Sequence, residues 1–259
     1  MEPTLPSLAV LRKLAMKKFR DKEGLYLIEG SAAIRDAIVE DKCPILVLHD
    51  ERALERSQDA EVLTLAGEKG LPVQEVADGE LVRISGLKTA PPVAGVFRMP
   101  QNAEPSTLIA GQVVVAFDRV MDPGNLGTLI RAAVFYGVTE FWLGEGTVDV
   151  FNPKVLRASM GAHLHATLYR GVNLEQSLTA AVAEGVRVIA TEMDAEGEIK
   201  PVHPDSRPVV LLLGNEPAGV SPGLVALATE HVAIERRGPV DSLNVAMAGS
   251  VLLDRLLAR

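Results

Sequence analysis

The stretch VVLLLGNEPAGVSP (209–222) decides the reading of this chain. Five apolar residues in a row lack the alternation of a half-solvated strand, and a strand apolar on both faces needs cover on both. A parallel sheet flanked by helices supplies that cover. An asparagine and a glutamate follow at once, Pro217 blocks immediate helix formation, and Ser221-Pro222 opens the next helix. Working outward, VVVAF (113–117), EFWLG (140–144), ATLYR (166–170), VRVIATE (186–192) and HVAIE (231–235) read as further strands. Helical patterns lie between them at about 125–136, 153–161, 174–184, 222–229 and 242–258. The C-terminal part is therefore expected to be α/β with a mostly parallel sheet.

Earlier in the chain, LYLIEG (25–30), PILVLHD (44–50) and PVAGVF (92–97) read as strands, with helices at 31–41 and near 57–69. They make a smaller α/β unit. Composition shifts once, at MPQNAEPST (99–107), which places the boundary between domains 1–105 and 106–259. Among 259 residues the single cysteine, Cys43, excludes a disulfide framework or a multi-cysteine zinc site and fits a reduced compartment. No apolar run reaches the roughly 18 residues that span a bilayer, and the start of the chain lacks a secretory h-region. The expectation is a cytoplasmic protein that uses neither membrane nor metal. Its net charge of −8 is uneven. Residues 1–22 carry six basic and two acidic side chains, and the remaining 237 carry 20 and 32. The basic segment suits either a nucleic-acid contact or a solvated amphipathic helix.

In open parallel sheets ligands sit beyond the carboxyl ends of the strands, so chemistry is sought in the loops after 117, 192, 214 and 235. In DRVMDPGNLGTLIRAA (118–133), Gly124 and Gly127 permit a sharp turn, Asn125 is placed as the N-cap, and Arg131 lies one or two turns into the helix. Glu216 suits either a ligand's hydrogen-bond donors or the loop's own amides. In IERRGPVDSLNVAMAGSVLLDRLL (234–257), Asp241 or Ser242 is placed as the cap of the last helix, and Asn244 interrupts its apolar pattern. The small residues Ala246, Ala248, Gly249 and Ser250 admit another backbone, either the protein's own sheet or a second copy. In FNPKVLRASMGAHLHA (151–166), Lys154 and Arg157 share a helix face, while His163 and His165, spaced as on a strand, read as structural. No phosphate-binding loop, dinucleotide fingerprint or nucleophile elbow occurs.

In order and spacing, DPGNLGTLIRAA, LLLGNEPAGVS and SLNVAMAGSVLL resemble the three motifs of the SpoU (TrmH-type) ribose 2′-O-methyltransferases of the SPOUT superfamily. NPKVLRASMGA resembles a family segment between the first two, and KKFRDKEGLYLIEG resembles the entry to the family's ribosomal-protein-like substrate-binding domain. The resemblance implies a C-terminal trefoil knot formed by the loops after 192, 214 and 235, with S-adenosylmethionine bound there. Gly214, Ile234 and Leu243, with Asn215 and Thr191, match donor-binding positions. Arg131 matches the residue that activates the hydroxyl. A guanidinium with a pKa above about 12 is a poor general base, so holding the phosphate and stabilising the developing alkoxide suits it better. Asn125, Asn244, Ser242 and Glu216 would complete the catalytic set.

The resemblance further implies a homodimer in which Arg131 serves the partner's donor, with the C-terminal helix packed across the two-fold axis. Structured RNA is the implied substrate, ribosomal RNA before transfer RNA, with Lys17, Lys18, Arg20, Lys154 and Arg157 expected on the RNA-contacting surface. A fragment of residues 106–259 is expected to bind the donor alone. Two other classes remain: a catalytically silent RNA-binding protein of the same fold, and a nucleotide-dependent α/β enzyme for which no phosphate motif speaks.

Overall fold

A computed structural model of the chain describes residues 5–192, 195, 197, 199–203, 206–240 and 242–257. In chain order the helices and strands are α1 (Leu8–Leu11), α2 (Lys17–Glu23), β1 (Leu25–Glu29), α3 (Ser31–Val39), β2 (Leu46–His49), α4 (Ser57–Glu68), β3 (Val73–Glu75), α5 (Glu80–Ser85) and β4 (Val93–Arg98). There follow β5 (Val113–Phe117), α6 (Pro123–Phe135), β6 (Glu140–Gly144), α7 (Pro153–Ser159), β7 (Thr167–Val172), α8 (Leu174–Ala183), β8 (Arg187–Thr191), β9 (Val209–Leu213), α9 (Pro222–Val225), β10 (Glu230–Val232) and α10 (Val245–Leu257). They form two compact units: Met1–Gln101 with Asp149–Leu164, and Asn102–Val148 with His165–Arg259.

The first unit is built on a four-stranded sheet of order β1-β4-β2-β3, in which β4 runs antiparallel to both neighbours and β2–β3 is parallel. Leu46, Leu48 and Val96 from its central strands pack with Leu11, Leu14 and Ile84 in one core. The segment 149–164 closes another side of this unit, which the single expected boundary had assigned to the second domain. Phe151 packs on Tyr26 with ring centroids 4.7 Å apart. Arg157 donates to Glu29 at 2.6 Å. His163 accepts or donates at Ser159 Oγ, 2.9 Å away, and meets Tyr26 edge-on. His163 and His165 lie on a 3₁₀ turn, Ala162–His165, instead of the strand their spacing suggested. A fragment beginning at 106 would therefore carry Phe151, Val155 and Leu156, all buried here, without the surfaces that cover them.

The basic segment resolves into α1 and α2. Lys17 and Lys18 are exposed, Lys17 pairing with Asp21 one turn away and Lys18 lying over the Phe19 ring. Arg20, expected on the RNA-contacting surface, is only 2% exposed. It points inward because α2 packs on β1: its guanidinium donates to the carbonyls of Leu14 and Ala15 at 2.7 and 2.9 Å and pairs with Asp149. Arg157, expected on the same surface, is held by Glu29, while Lys154 is exposed.

The second unit is a six-stranded, all-parallel sheet of order β10-β8-β9-β5-β6-β7. Every residue of β5 and β9 is buried, as their unbroken apolar runs require. α10 packs on α6, and the small-residue face expected across a dimer axis lies inside this unit. A Cβ on Gly249 would come within 2.3 Å of Leu129 on α6 and 3.0 Å of Leu213 on β9. Among the described residues no helix is long and apolar enough to cross a membrane.

Breaking the Arg20–Asp149 pair leaves an uncompensated buried carboxylate, which costs roughly 3–5 kcal/mol. Arg20→Ala is expected to lower unfolding free energy in denaturant titrations by that order, whereas Lys17→Ala, removing an exposed helix pair, should change it by no more than about 0.5 kcal/mol.

Candidate functional site

The carboxyl ends of β5 and β9, neighbours in the sheet, lead into two loops that are tied to each other. Asp118, directly after β5, is buried; its N–H donates to the Leu213 carbonyl at 2.8 Å. Its carboxylate accepts from the Ser221 N–H at 2.7 Å and from Arg119 Nε at 2.9 Å. Burial pushes the Asp118 carboxyl up, but Arg119 and Ser221 outweigh it, so the net shift is below the usual carboxylate value. Arg119 adopts a left-handed backbone, φ 55°, rare for a side chain of its size.

The β9 loop is a tight turn in which Asn215 and Gly219 exchange backbone hydrogen bonds of 3.0 and 2.8 Å. Asn215 Nδ2 donates to the Arg119 carbonyl at 2.9 Å, and its Oδ1 accepts from the Ala218 N–H at 3.3 Å. The amide expected to touch the donor thus braces the loop instead. Gly214 is the narrowest point: a Cβ there would lie 2.1 Å from the Gly219 carbonyl carbon and 2.2 Å from the Val220 nitrogen. No side chain fits.

α6 begins with Asp122 as its N-cap, accepting from the Asn125 N–H at 2.8 Å, and with Pro123 in the first position. Asn125, expected as the cap, is inside the first turn because Pro123 moves the start two residues earlier. That leaves its amide for tertiary contacts. Asn125 Nδ2 donates to Glu216 Oε1 at 3.0 Å, and Glu216 also accepts from the Asp122 N–H at 3.3 Å. Asn244 Nδ2 donates to Asn125 Oδ1 at 2.9 Å. Asn244 Oδ1 in turn accepts from the N–H groups of Ala246 at 2.8 Å and Met247 at 3.4 Å, so Asn244 itself caps α10. The cap was expected at Asp241 or Ser242; Asp241 lies outside the described residues, and the bonds to Asn244 displace Ser242 from that role. This also explains why Asn244 breaks the apolar pattern.

One residue from each motif is thus joined in a chain, Glu216–Asn125–Asn244, and the direction of the Asn125 amide is fixed from both sides. Arg131 lies six residues beyond Asn125, about 9 Å along the axis and on another face of α6. It is exposed and shares that face with Phe135, one turn on and 82% exposed. Ser242 is exposed beside Leu243, which is 53% exposed, and Ile234 is half-buried. Thr191 Oγ1 donates to the Leu212 carbonyl at 3.2 Å, tying the end of β8 to β9. The loops after β8, β9 and β10 start at the same edge of the sheet. Ile234 and Leu243 offer apolar surface and Gly214 bare backbone, which suits a small adenosine-type ligand. The clamps at Asp118 and Asn215 were missed in the sequence, where an acid after a strand and a left-handed Arg119 carry no distinct signal. Among the described residues no cluster of three His, Cys, Asp or Glu could hold a metal.

The comparisons agree with this geometry. The SpoU rRNA Methylase family model matches residues 112–254, and an MRM3-like substrate binding domain model matches residues 6–95. The 23S rRNA (guanosine(2553)-2'-O)-methyltransferase RlmP of Bacillus subtilis is 32% identical over 95% of this chain and 93% of its own. An AdoMet-bound rRNA methyltransferase from Sinorhizobium meliloti is 30% identical, with TM-score 0.81 over 96% of this chain and 93% of its own. A putative RNA methyltransferase of the TrmH family from Porphyromonas gingivalis is 28% identical, with TM-score 0.78 over 98% of both chains.

Because the Asp118 pKa is lowered, its stabilisation is complete above the free-carboxyl value near pH 4 and fades as pH falls through the folded value. Asp118→Asn is expected to cost roughly 1–3 kcal/mol at pH 7, with the difference from wild type shrinking by pH 3 in denaturant titrations. Gly214→Ala is expected to cost a similar amount at both pH values, since the overlap is steric.

Proposed function

Since the chain belongs to the SpoU rRNA methylase family, we propose that it transfers a methyl group from S-adenosylmethionine to a ribose 2′-hydroxyl of ribosomal RNA. The observation that carries the reading is the Glu216–Asn125–Asn244 chain, which holds three separate segments at the carboxyl edge of a parallel sheet. The ribosomal substrate is supported by the relatives named above. The bound donor would bring an already activated methyl group, leaving the protein to orient the acceptor and aid loss of its proton. Glu216 locks the Asn125 amide, Asn125 and Asn244 orient the ribose, and Ser242 lies beside them. Arg131 holds the adjacent phosphate and stabilises the developing alkoxide. Thr191, Gly214, Ile234 and Leu243 form the donor's surroundings, with Asn215 acting through the loop. A trefoil knot of the C-terminal loops fits the return of α10 to α6 and the contact of Gly214 with Gly219.

A homodimer completes this reading. Arg131 sits on the exposed face of α6 with Phe135, and Met121, Leu243 and Met247 add exposed apolar surface in the same unit. Apolar surface of this kind marks an interface, and a two-fold contact would bring each Arg131 toward the other copy. The N-terminal unit, with exposed Lys17, Lys18 and Lys154, would bind the RNA, and the reaction would take place in the cytoplasm.

Arg131→Ala is expected to lose tritiated methyl transfer to ribosomal RNA by at least about a hundredfold, as for loss of one transition-state donor, while calorimetry shows unchanged binding of S-adenosylmethionine. Full retained transfer would remove Arg131 from the mechanism. Phe135→Asp is expected to convert a sedimenting dimer to monomer and to lower transfer with it; a fully active wild-type monomer would overturn the dimer.

A further inference from the structure

The N-terminal unit holds a cleft of about 280 Å³, lined by Gly30, Ser31, Arg52, Arg56, Gln58 and Asp59, with the loop 89–92 forming its remaining wall. That is close to the lower bound of small-ligand pockets, roughly 300 Å³. Its chemistry is two-sided. α3 and α4 both begin at the cleft, and no side chain caps either helix, so orphan N–H groups and positive helix ends are presented there. Arg52 is immobilised: its Nε donates to Asp50 Oδ1 at 3.0 Å and its Nη2 to Asp50 Oδ2 and to the Ala90 carbonyl at 3.3 Å. Both Nη1 hydrogens remain uncommitted. Arg56 is exposed and makes no side-chain hydrogen bond or ion pair among the described residues. These groups favour an anion.

Asp59 favours the opposite. It is only 3% exposed, and its Oδ2 has no hydrogen-bond partner. A buried carboxylate oxygen without a donor is costly and rare in folded proteins. A simple anion would be repelled by Asp59 and a simple cation by Arg52 and Arg56. The fitting ligand joins an anionic group to N–H donors, as an unpaired nucleotide does. Guanine alone among the RNA bases places two adjacent N–H donors on its Watson–Crick edge, matching the two oxygens of a carboxylate. We propose that this cleft captures a single unpaired guanine nucleotide of the RNA, Asp59 taking the base edge while Arg52, Arg56 and the helix starts take the phosphate. The proposal rests on the RNA-substrate reading above and adds to it a base-reading site in the N-terminal unit.

The test is fluorescence anisotropy of the full chain with labelled pentauridylate and with the same strand carrying guanosine or inosine at its centre. The guanosine strand is expected to bind at least about fivefold tighter than pentauridylate, the lower end of what a bidentate base contact discriminates. Inosine, which lacks the 2-amino group, should fall between. Asp59→Asn should remove the preference, whereas Arg56→Ala should weaken all three strands alike and keep their ratio. Equal binding of the three strands by wild type overturns the proposal, as does a folded Asp59→Asn that keeps the preference. If Asp59→Asn fails to fold, the wild-type inosine comparison decides. Free guanosine monophosphate competing at the same concentration as the guanosine strand would assign the cleft to a free nucleotide and overturn the RNA assignment. Methyl transfer is read separately: preference without transfer sinks the methylation reading alone, and transfer without preference sinks the cleft alone.

Discussion

The carboxyl edge of the C-terminal sheet depends on one buried carboxylate. Asp118 accepts the Ser221 N–H on one side and holds Arg119 on the other, so the loop after β9 takes its position from the loop after β5. Asn215 adds a second tie in the reverse direction, from the β9 loop to the Arg119 carbonyl. With those ties made, Glu216 can reach Asn125, and through Asn125 the cap of α10. An N–H held by a buried ion is a stronger and more directional constraint than apolar packing, so the alignment of three distant segments follows from a few charged hydrogen bonds. Gly214 marks the limit of this arrangement. Its backbone approaches Gly219 and Val220 too closely for any side chain.

Much of the second unit was legible because it obeys simple rules. β5 and β6 fall on the residues their apolar runs indicated, and β9 ends within one residue of its run. Elements whose signal is weaker escaped: β3 has one half-buried residue between two exposed ones, and α5 is six residues long. Helix starts were misplaced where several polar residues compete. Asp122 outranks Asn125 because Pro123 fixes the first turn. Asn244 caps α10 through hydrogen bonds that no local pattern foretells.

The site was legible in its membership more than in its wiring. Spacing and resemblance singled out Asn125, Glu216 and Asn244, but not that they bond to one another, since 91 and 119 residues separate Asn125 from its two partners. Asp118 and Asn215 could not be read as clamps from sequence, because their partners are backbone groups. Arg20 shows the opposite failure. In a run of basic residues it is indistinguishable from Lys17 and Lys18, and only the partner at Asp149 makes it a core residue. Arginine suits that place because its planar, permanently charged group can meet two carbonyls and a carboxylate at once.

That partner lies 129 residues away, across the first half of the other unit's sheet. The chain leaves the small unit after Gln101, lays down β5, α6 and β6, and returns at Asp149 to finish what it began. Domains ordinarily fold in turn as they leave the ribosome, the N-terminal one first. Here the buried guanidinium of Arg20 and the face of Tyr26 wait for Asp149 and Phe151 until two strands of the second unit have been synthesised. The order of synthesis and the order of completion are therefore interleaved. Neither unit can be a finished object while the other is still absent from the nascent chain.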